Sequence, residues 1–242
     1  MINNKENSQP LLTIGYATYN RKDIVIKRFI EALEIDLSNE VEIIFIDNAS
    51  EDGTYDELQK LNVNDSISIY RNNNNLGFSG NFIEVLKKAN GKYAIWVSDE
   101  DSIEVLKIKE LTEYLKKHNP DSLVLNHFKK IHNKLYPIRL NTTKLVKETD
   151  LWATCHLPGS IWKRESIKAI YKSWPDYVEM YPHLSKLYPN LIFMILLIPN
   201  KKSYFYNNFL TYQKDFIKST HLAELGYSYP NVIPRWLQHN EI

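Results

Sequence analysis

The sequence is poor in the features that would tie it to several common classes of protein. Cys155 is its single cysteine, which excludes an internal disulfide and a thiolate zinc cluster. Charge of one sign is not in excess: 30 basic residues face 29 acidic ones, for a net charge of +1, so no general nucleic-acid surface is expected. Long apolar runs are missing too. The longest, Leu191 to Ile198, is far too short to span a bilayer, and the polar segment Met1–Pro10 lacks the apolar core of a signal peptide. The expected location is the cytoplasm, where the Asn-x-Ser/Thr triplets at Asn48, Asn64 and Asn141 carry no glycan.

What is present is a repeating order of apolar run, polar loop and amphipathic stretch. Leu11 to Ala17, Val41 to Ile46, Ser66 to Tyr70 and Tyr93 to Val97 fit strands. The stretches after the first three fit helices, with Ile24, Ile26, Phe29, Ile30 and Leu33 as the expected apolar face of the first. After Ile103 a helix runs to His118. Such alternation predicts an α/β fold with right-handed crossovers and a Rossmann-like, mostly parallel sheet flanked by helices. Its strand ends then gather Thr18 to Arg21, Asp47 to Ser50, Arg71 to Asn81 and Asp99 to Asp101 along one edge.

Later elements are less regular. Ser122 to Asn126 predicts a strand, Phe128 to Thr149 a hairpin or mobile loop with weak strand signals at Leu135 to Leu140, Leu157 to Glu165 a turn and short strand entering a helix at Ser166 to Trp174, Leu184 to Leu197 a helix, and Ser203 to Tyr212 a late strand. The apolar run Leu191 to Ile198 suits a buried helix, a peripheral membrane face or the seam of a homo-oligomer. Trp152, Trp162, Trp174 and the tyrosines beyond residue 170 are either core or sugar-stacking surfaces, and His221 is either a late contact to a metal or a solvent-exposed side chain.

The strand ends carry the chemistry. Asp99-Glu100-Asp101 follows an apolar strand, and three packed carboxylates are readily explained by a divalent cation that itself holds a phosphate; an acidic helix start is the plainer alternative. Asp47 can accept from a base N–H or a ribose hydroxyl, or cap the following helix, a task that Asp52 could take over. Arg71 suits a phosphate or a surface salt bridge, and the loop Gly77 to Asn81 opens a helix whose N–H groups suit a phosphate. Neither a Walker loop nor a dinucleotide fingerprint is present.

The segments Ile14 to Arg21, Ile43 to Thr54, Asn75 to Asn81 and Asp99 to Asp101, in this order and spacing, resemble the successive motifs of family 2 glycosyltransferases. The likeness is strong over residues 11–118 and weaker through Gly159 to Glu165, which resembles the acceptor-side segment of that family. It implies a GT-A fold with a nucleotide-sugar-binding half at 11–127 and a smaller acceptor-side half at 128–242. It also implies inverting sugar transfer from a nucleotide-sugar, a UDP-sugar being favoured, to a glycan or lipid-linked saccharide of a bacterial surface polysaccharide, at the inner face of the membrane. By the same resemblance Thr18, Tyr19, Asn20, Arg21 and Asp47 hold the nucleoside, and Arg71, Gly80 and Asn81 lie near the base or phosphates. Asp101 would bind Mn²⁺ or Mg²⁺, with Asp99 on the ribose or the metal.

An inverting transfer needs a general base, and the acid pair usual in the family after the acceptor segment is missing here. Asp176, Glu179 and His183 are the candidates in its place. Three other readings compete. A haloacid-dehalogenase-like phosphatase would carry its Asp-x-Asp after the first strand and a second acidic pair later, and neither is found. A nucleotidyltransferase would need a Gly-rich, Arg-containing loop after that strand. A nucleotide-sugar-binding module without catalysis remains compatible with the missing acid pair.

Overall fold

The structure is a computed structural model that describes residues 9–35, 40–62, 67–131, 134–137, 143–154, 159–199 and 201–213. The polar segment before Gln9, the triplets at Asn64 and Asn141, Cys155, His221 and Trp236 to Ile242 lie outside the described residues, as do the side chains of Trp152 and Tyr212.

The elements follow one another as β1 (Leu12–Thr18), α1 (Lys22–Leu33), β2 (Val41–Asp47), α2 (Thr54–Leu61), β3 (Ser68–Arg71), α3 (Gly77–Lys88), β4 (Tyr93–Ser98) and β5 (Asp101–Ile103). Then come α4 (Ile108–His118), β6 (Ser122–Ile131), β7 (Lys134–Pro137), β8 (Lys144–Leu145), β9 (Ser160–Lys163), α5 (Arg164–Lys172), α6 (Trp174–Met180), α7 (Pro182–Leu187), α8 (Pro189–Leu197) and β10 (Ser203–Gln213). The strands form one sheet in the order β3-β2-β1-β4-β9-β6-β10-β5, with β7 on β6 and β8 on β10. Its first four strands are all parallel, as the β-α alternation requires. β9 is antiparallel to both β4 and β6. β6 and β7 pair antiparallel, the hairpin of the two forms expected in this stretch.

Side chains alternate across the strands with period two, which gives the sheet two apolar faces. Ile43, Phe45, Ile95 and Val97 meet Val25 and Phe29 of α1, Leu58 of α2 and Leu111 and Leu115 of α4. Ile44, Ile46, Ala94 and Trp96 meet α3, α5 and α8 through Phe82, Val85, Ile167 and Phe193. Trp162 and Trp174 belong to that second layer, packed with Phe82 and Phe193, so the core reading holds for these two tryptophans. Gly15 fixes how closely α3 approaches β1, since a Cβ there would fall 2.3 Å from Val85 Cγ1.

Three details depart from the sequence-based expectation. The apolar face of α1 is rotated: Val25, Arg28, Phe29 and Ala32 are buried, whereas Ile30 and Leu33 are about half exposed. The expected helix from Leu184 to Leu197 is two helices. Pro189 has no N–H to donate and disfavours a helical Tyr188, whose φ is −138°, so the chain breaks there. Finally, Asp101 is not in the acidic turn but opens β5, which pairs antiparallel with the end of β10. Among the described residues no helix is long and apolar enough to cross a membrane.

Candidate active site

β1, β2, β3 and β4 all end on the same edge of the parallel half-sheet, and their loops are bonded to one another. Thr18, the last residue of β1, donates its hydroxyl to Asp99 Oδ2 at 2.8 Å. Two residues later the backbone takes a positive φ of 51° at Asn20, a residue type that tolerates it. Asn20 then bridges to the β2 loop, its N–H donating to Ser50 Oγ at 2.8 Å and its Oδ1 accepting from Glu51 N–H at 2.8 Å. The next residue, Arg21, turns back over the acids. Its Nη1 lies 2.8 Å from Asp99 Oδ1 and 2.8 Å from Glu100 Oε1.

Asp99 and Asp101 are both buried, and both carboxyls are pushed up from the usual range by that burial. For Asp99 the charge of Arg21 and the hydrogen bonds from Thr18 and Arg21 work against it. Asp101 is pushed up to about 8 by its burial, to which the charges of Glu100 and Asp99 add, while the charge of Arg28 and a backbone hydrogen bond with Ser98 work against them. Carboxylate oxygens are the donors a hard divalent cation takes, and a carboxyl crowded in this way is one that a cation would keep ionised, so the residues fit Mn²⁺ or Mg²⁺ in kind. No group of three or more His, Cys, Asp or Glu side chains is gathered as a ready-made metal site among the described residues. The cation seated at Asp99 and Glu100 here is Arg21.

A second group forms around β2 and β3. Asp47 is fully buried at the end of β2 and accepts the Ser50 N–H at 3.2 Å. Burial raises its pKa, while Ser50 and Arg71 lower it. Arg71 places Nε 3.5 Å from Asp47 Oδ2, donates from Nη2 to Ser50 O at 2.9 Å, and lies over the Tyr55 ring. Asp47 therefore holds the loop after β2 rather than capping α2. Asp52 takes the capping role, accepting from Thr54 N–H at 3.0 Å and from Lys22 N–H at 2.9 Å, which ties the starts of α1 and α2 together.

Sequence reasoning missed the centre of the loops, Asn48. Its Oδ1 accepts from Asn72 Nδ2 at 2.8 Å and Leu76 N–H at 3.0 Å, and its Nδ2 donates to Asn75 Oδ1 at 2.8 Å. Asn81, buried in α3, accepts from Asn72 at 3.2 Å and so belongs to the same network. Gly80 is small for a reason, since a Cβ there would meet Leu76 Cβ at 2.6 Å. The signal was the run Asn72 to Asn75, where four carboxamides offer donors and acceptors to an irregular backbone.

The nominated residues thus fall into three sets. Thr18 and Arg21 meet Asp99 at the lip, with Tyr19 exposed beside them, and Asp101 is buried two residues on, where it feels the charges of Asp99 and Glu100. Asn20, Asp47, Arg71, Gly80 and Asn81 build and hold the loops around it. Asp176 and Glu179, exposed on α6, make no side-chain hydrogen bond or ion pair among the described residues, and His183 is exposed in the first turn of α7. α7 packs on α3 within the same apolar layer.

A family model described as glycosyl transferase family 2 matches residues 13–170. No curated protein matches the chain. Among solved structures, the S. aureus TarS fragment 1–349 in complex with UDP-GlcNAc superposes with a TM-score of 0.69 at 16% identity, over 90% of this chain and 61% of that one. A mannosyltransferase from Pyrobaculum calidifontis, in complex with GDP-Man and Mn²⁺, gives 0.61 at 13% identity, over 89% and 60%. The chain therefore spans about three fifths of the length of these structures. At such identities the likeness is one of fold.

Proposed function

The chain belongs to glycosyl transferase family 2, and we propose that it transfers a sugar, with inversion, from a nucleotide-sugar to a hydroxyl of a glycan or lipid-linked saccharide. The observation that carries this reading is the bonding of the β1 end to the β4 end, through Thr18 and Arg21 to Asp99, at the edge where α/β sheets bind nucleotides. Both solved relatives named above hold a nucleotide-sugar, which supports the same ligand class here.

In this reading residues 11–127 bind the donor and residues 128–242 meet the acceptor. Asp47 and Thr18 accept from the nucleoside, with Tyr19 against the base. Asp101, with Asp99 beside it, would hold a divalent cation, which would supply positive charge to a departing diphosphate. Arg21, 28% exposed at the lip, is a cation within reach of the same phosphates. The proton of the acceptor hydroxyl goes to a general base, for which Asp176, Glu179 and His183 are the candidates. Work on a bacterial surface polysaccharide, from the cytoplasmic side of the membrane, fits a donor of this type.

The test is a thermal-shift screen with UDP-, GDP-, dTDP- and CMP-sugars, each with and without Mn²⁺. One nucleotide series should raise the melting temperature, as mass action requires of a ligand that binds the folded state. Hydrolysis of the stabilising sugar by Asp176→Asn, Glu179→Gln and His183→Ala then locates the base. Stabilisation by no series would remove the donor reading; stabilisation with equal hydrolysis in all three would favour a binding module or a base elsewhere.

A further inference from the structure

Arg28 lies on the buried stripe of α1 with Val25, Phe29 and Ala32, and it is 0% exposed. A guanidinium taken out of water is costly unless it is paired. Its Nη1 donates to Ser102 Oγ at 2.5 Å and its Nη2 to Glu31 Oε1 at 3.3 Å, while Ser102 Oγ donates to Glu31 Oε2 at 2.9 Å. The three side chains close a ring that ties α1 to β5, and β5 begins at Asp101.

Among the described residues β5 pairs with a single strand. It is three residues long, sits at the end of the sheet order, and has one neighbour, β10, against which Asp101, Ser102 and Ile103 stand opposite Gln213, Tyr212 and Thr211. So short a ladder holds register poorly. If stability were the only demand, an apolar side chain among Val25, Phe29 and Ala32 would meet it at least as well as a buried charge. A bonded ring adds what an apolar contact lacks, which is a fixed direction for the strand.

We propose that Arg28, acting through Ser102, is the positioning residue of Asp101, holding the carboxylate where it can take a divalent cation. This rests on the reading of Asp101 as a metal ligand given above. Groups one step behind a metal ligand set its orientation, and their loss typically weakens metal binding by about 10–100-fold.

The experiment compares the wild type with Arg28→Gln, Arg28→Lys, Ser102→Ala and Asp101→Asn, each checked for folding by circular dichroism. UDP and GDP binding is measured calorimetrically with and without Mn²⁺. Arg28→Gln and Ser102→Ala should weaken the Mn²⁺-dependent binding by about 10–100-fold and leave metal-free nucleotide binding unchanged; Arg28→Lys, which keeps the charge, should recover part of it. Folded variants that melt earlier yet keep the full Mn²⁺ dependence would show a merely structural ring and overturn the proposal. Ser102→Ala removes one hydroxyl, and it decides the matter alone if Arg28→Gln does not fold. Loss in Asp101→Asn without loss in the ring variants overturns this proposal only, whereas an unaffected Asp101→Asn overturns the metal reading and this proposal with it.

Discussion

Arg21 Nη1 sits 2.8 Å from a carboxylate oxygen of Asp99 and 2.8 Å from one of Glu100, so a single nitrogen is shared between two neighbouring acids. Asp99 and Glu100 raise the pKa of the guanidinium against the lowering effect of its partial burial. Removing it leaves a buried carboxylate beside two others. Arg21→Ala should therefore cost about 1–3 kcal/mol, with the partial exposure of Arg21 already discounted. Urea unfolding at low and high salt checks this, and Arg21→Lys should restore part of the loss. An alanine variant as stable as the wild type would mean that the pair contributes nothing.

Asn48 holds the loops of β2 and β3 together through four side-chain hydrogen bonds. Asn48→Ala leaves the Asn72 carboxamide and the Leu76 N–H short of partners, at a cost of about 2–4 kcal/mol. The loss should be local before it is global. Hydrogen exchange should rise in residues 72–77 ahead of the strands, and donor binding should weaken with it; uniform exchange across the sheet would contradict this.

Asp52 supplies a pH dependence. Burial raises its pKa, but the Thr54 hydroxyl and the N–H groups of Lys22 and Thr54 bring the net value below the ordinary one. A depressed carboxylate adds stability that is fully present above its unfolded pKa of about 3.9 and is lost as pH falls through the lower folded value. Asp52→Asn should accordingly be less stable at neutral pH, with a difference that narrows in acid below about pH 4. Urea midpoints of both proteins across that range measure it, and a gap that stays constant or widens in acid would assign the effect to something else.

How far the sequence reached depends on what each element is made of. The parallel half-sheet was legible because β1, β2 and β4 are apolar runs bounded by polar loops, and the acids at the lip were legible because they follow one of those runs directly. In α1 the apolar residues Ile30 and Leu33 lie off the buried stripe, and a charged residue lies on it. Arg28 stands three residues after Val25 and four before Ala32, on the stripe that faces the core, and helical spacing alone would have shown it buried. β5 was hidden for a different reason: its partner is the distant β10, and a three-residue strand carries no periodicity of its own. Pro189 breaks a stretch whose apolar continuity from Leu191 to Ile198 suggests one helix. The general base stayed unassigned because α6 and α7 are short, exposed helices whose place is set by packing on the α3 layer rather than by a motif.

The central claim, that Asp101 takes a divalent cation together with a nucleoside diphosphate, is most directly tested by calorimetric titration of UDP and of GDP into the wild type and Asp101→Asn, with and without Mn²⁺. The account predicts that Mn²⁺ tightens the binding of one nucleotide in the wild type and that the asparagine variant loses this gain while it stays folded. Binding that ignores Mn²⁺ in the wild type, or a variant that responds to Mn²⁺ as the wild type does, would contradict it.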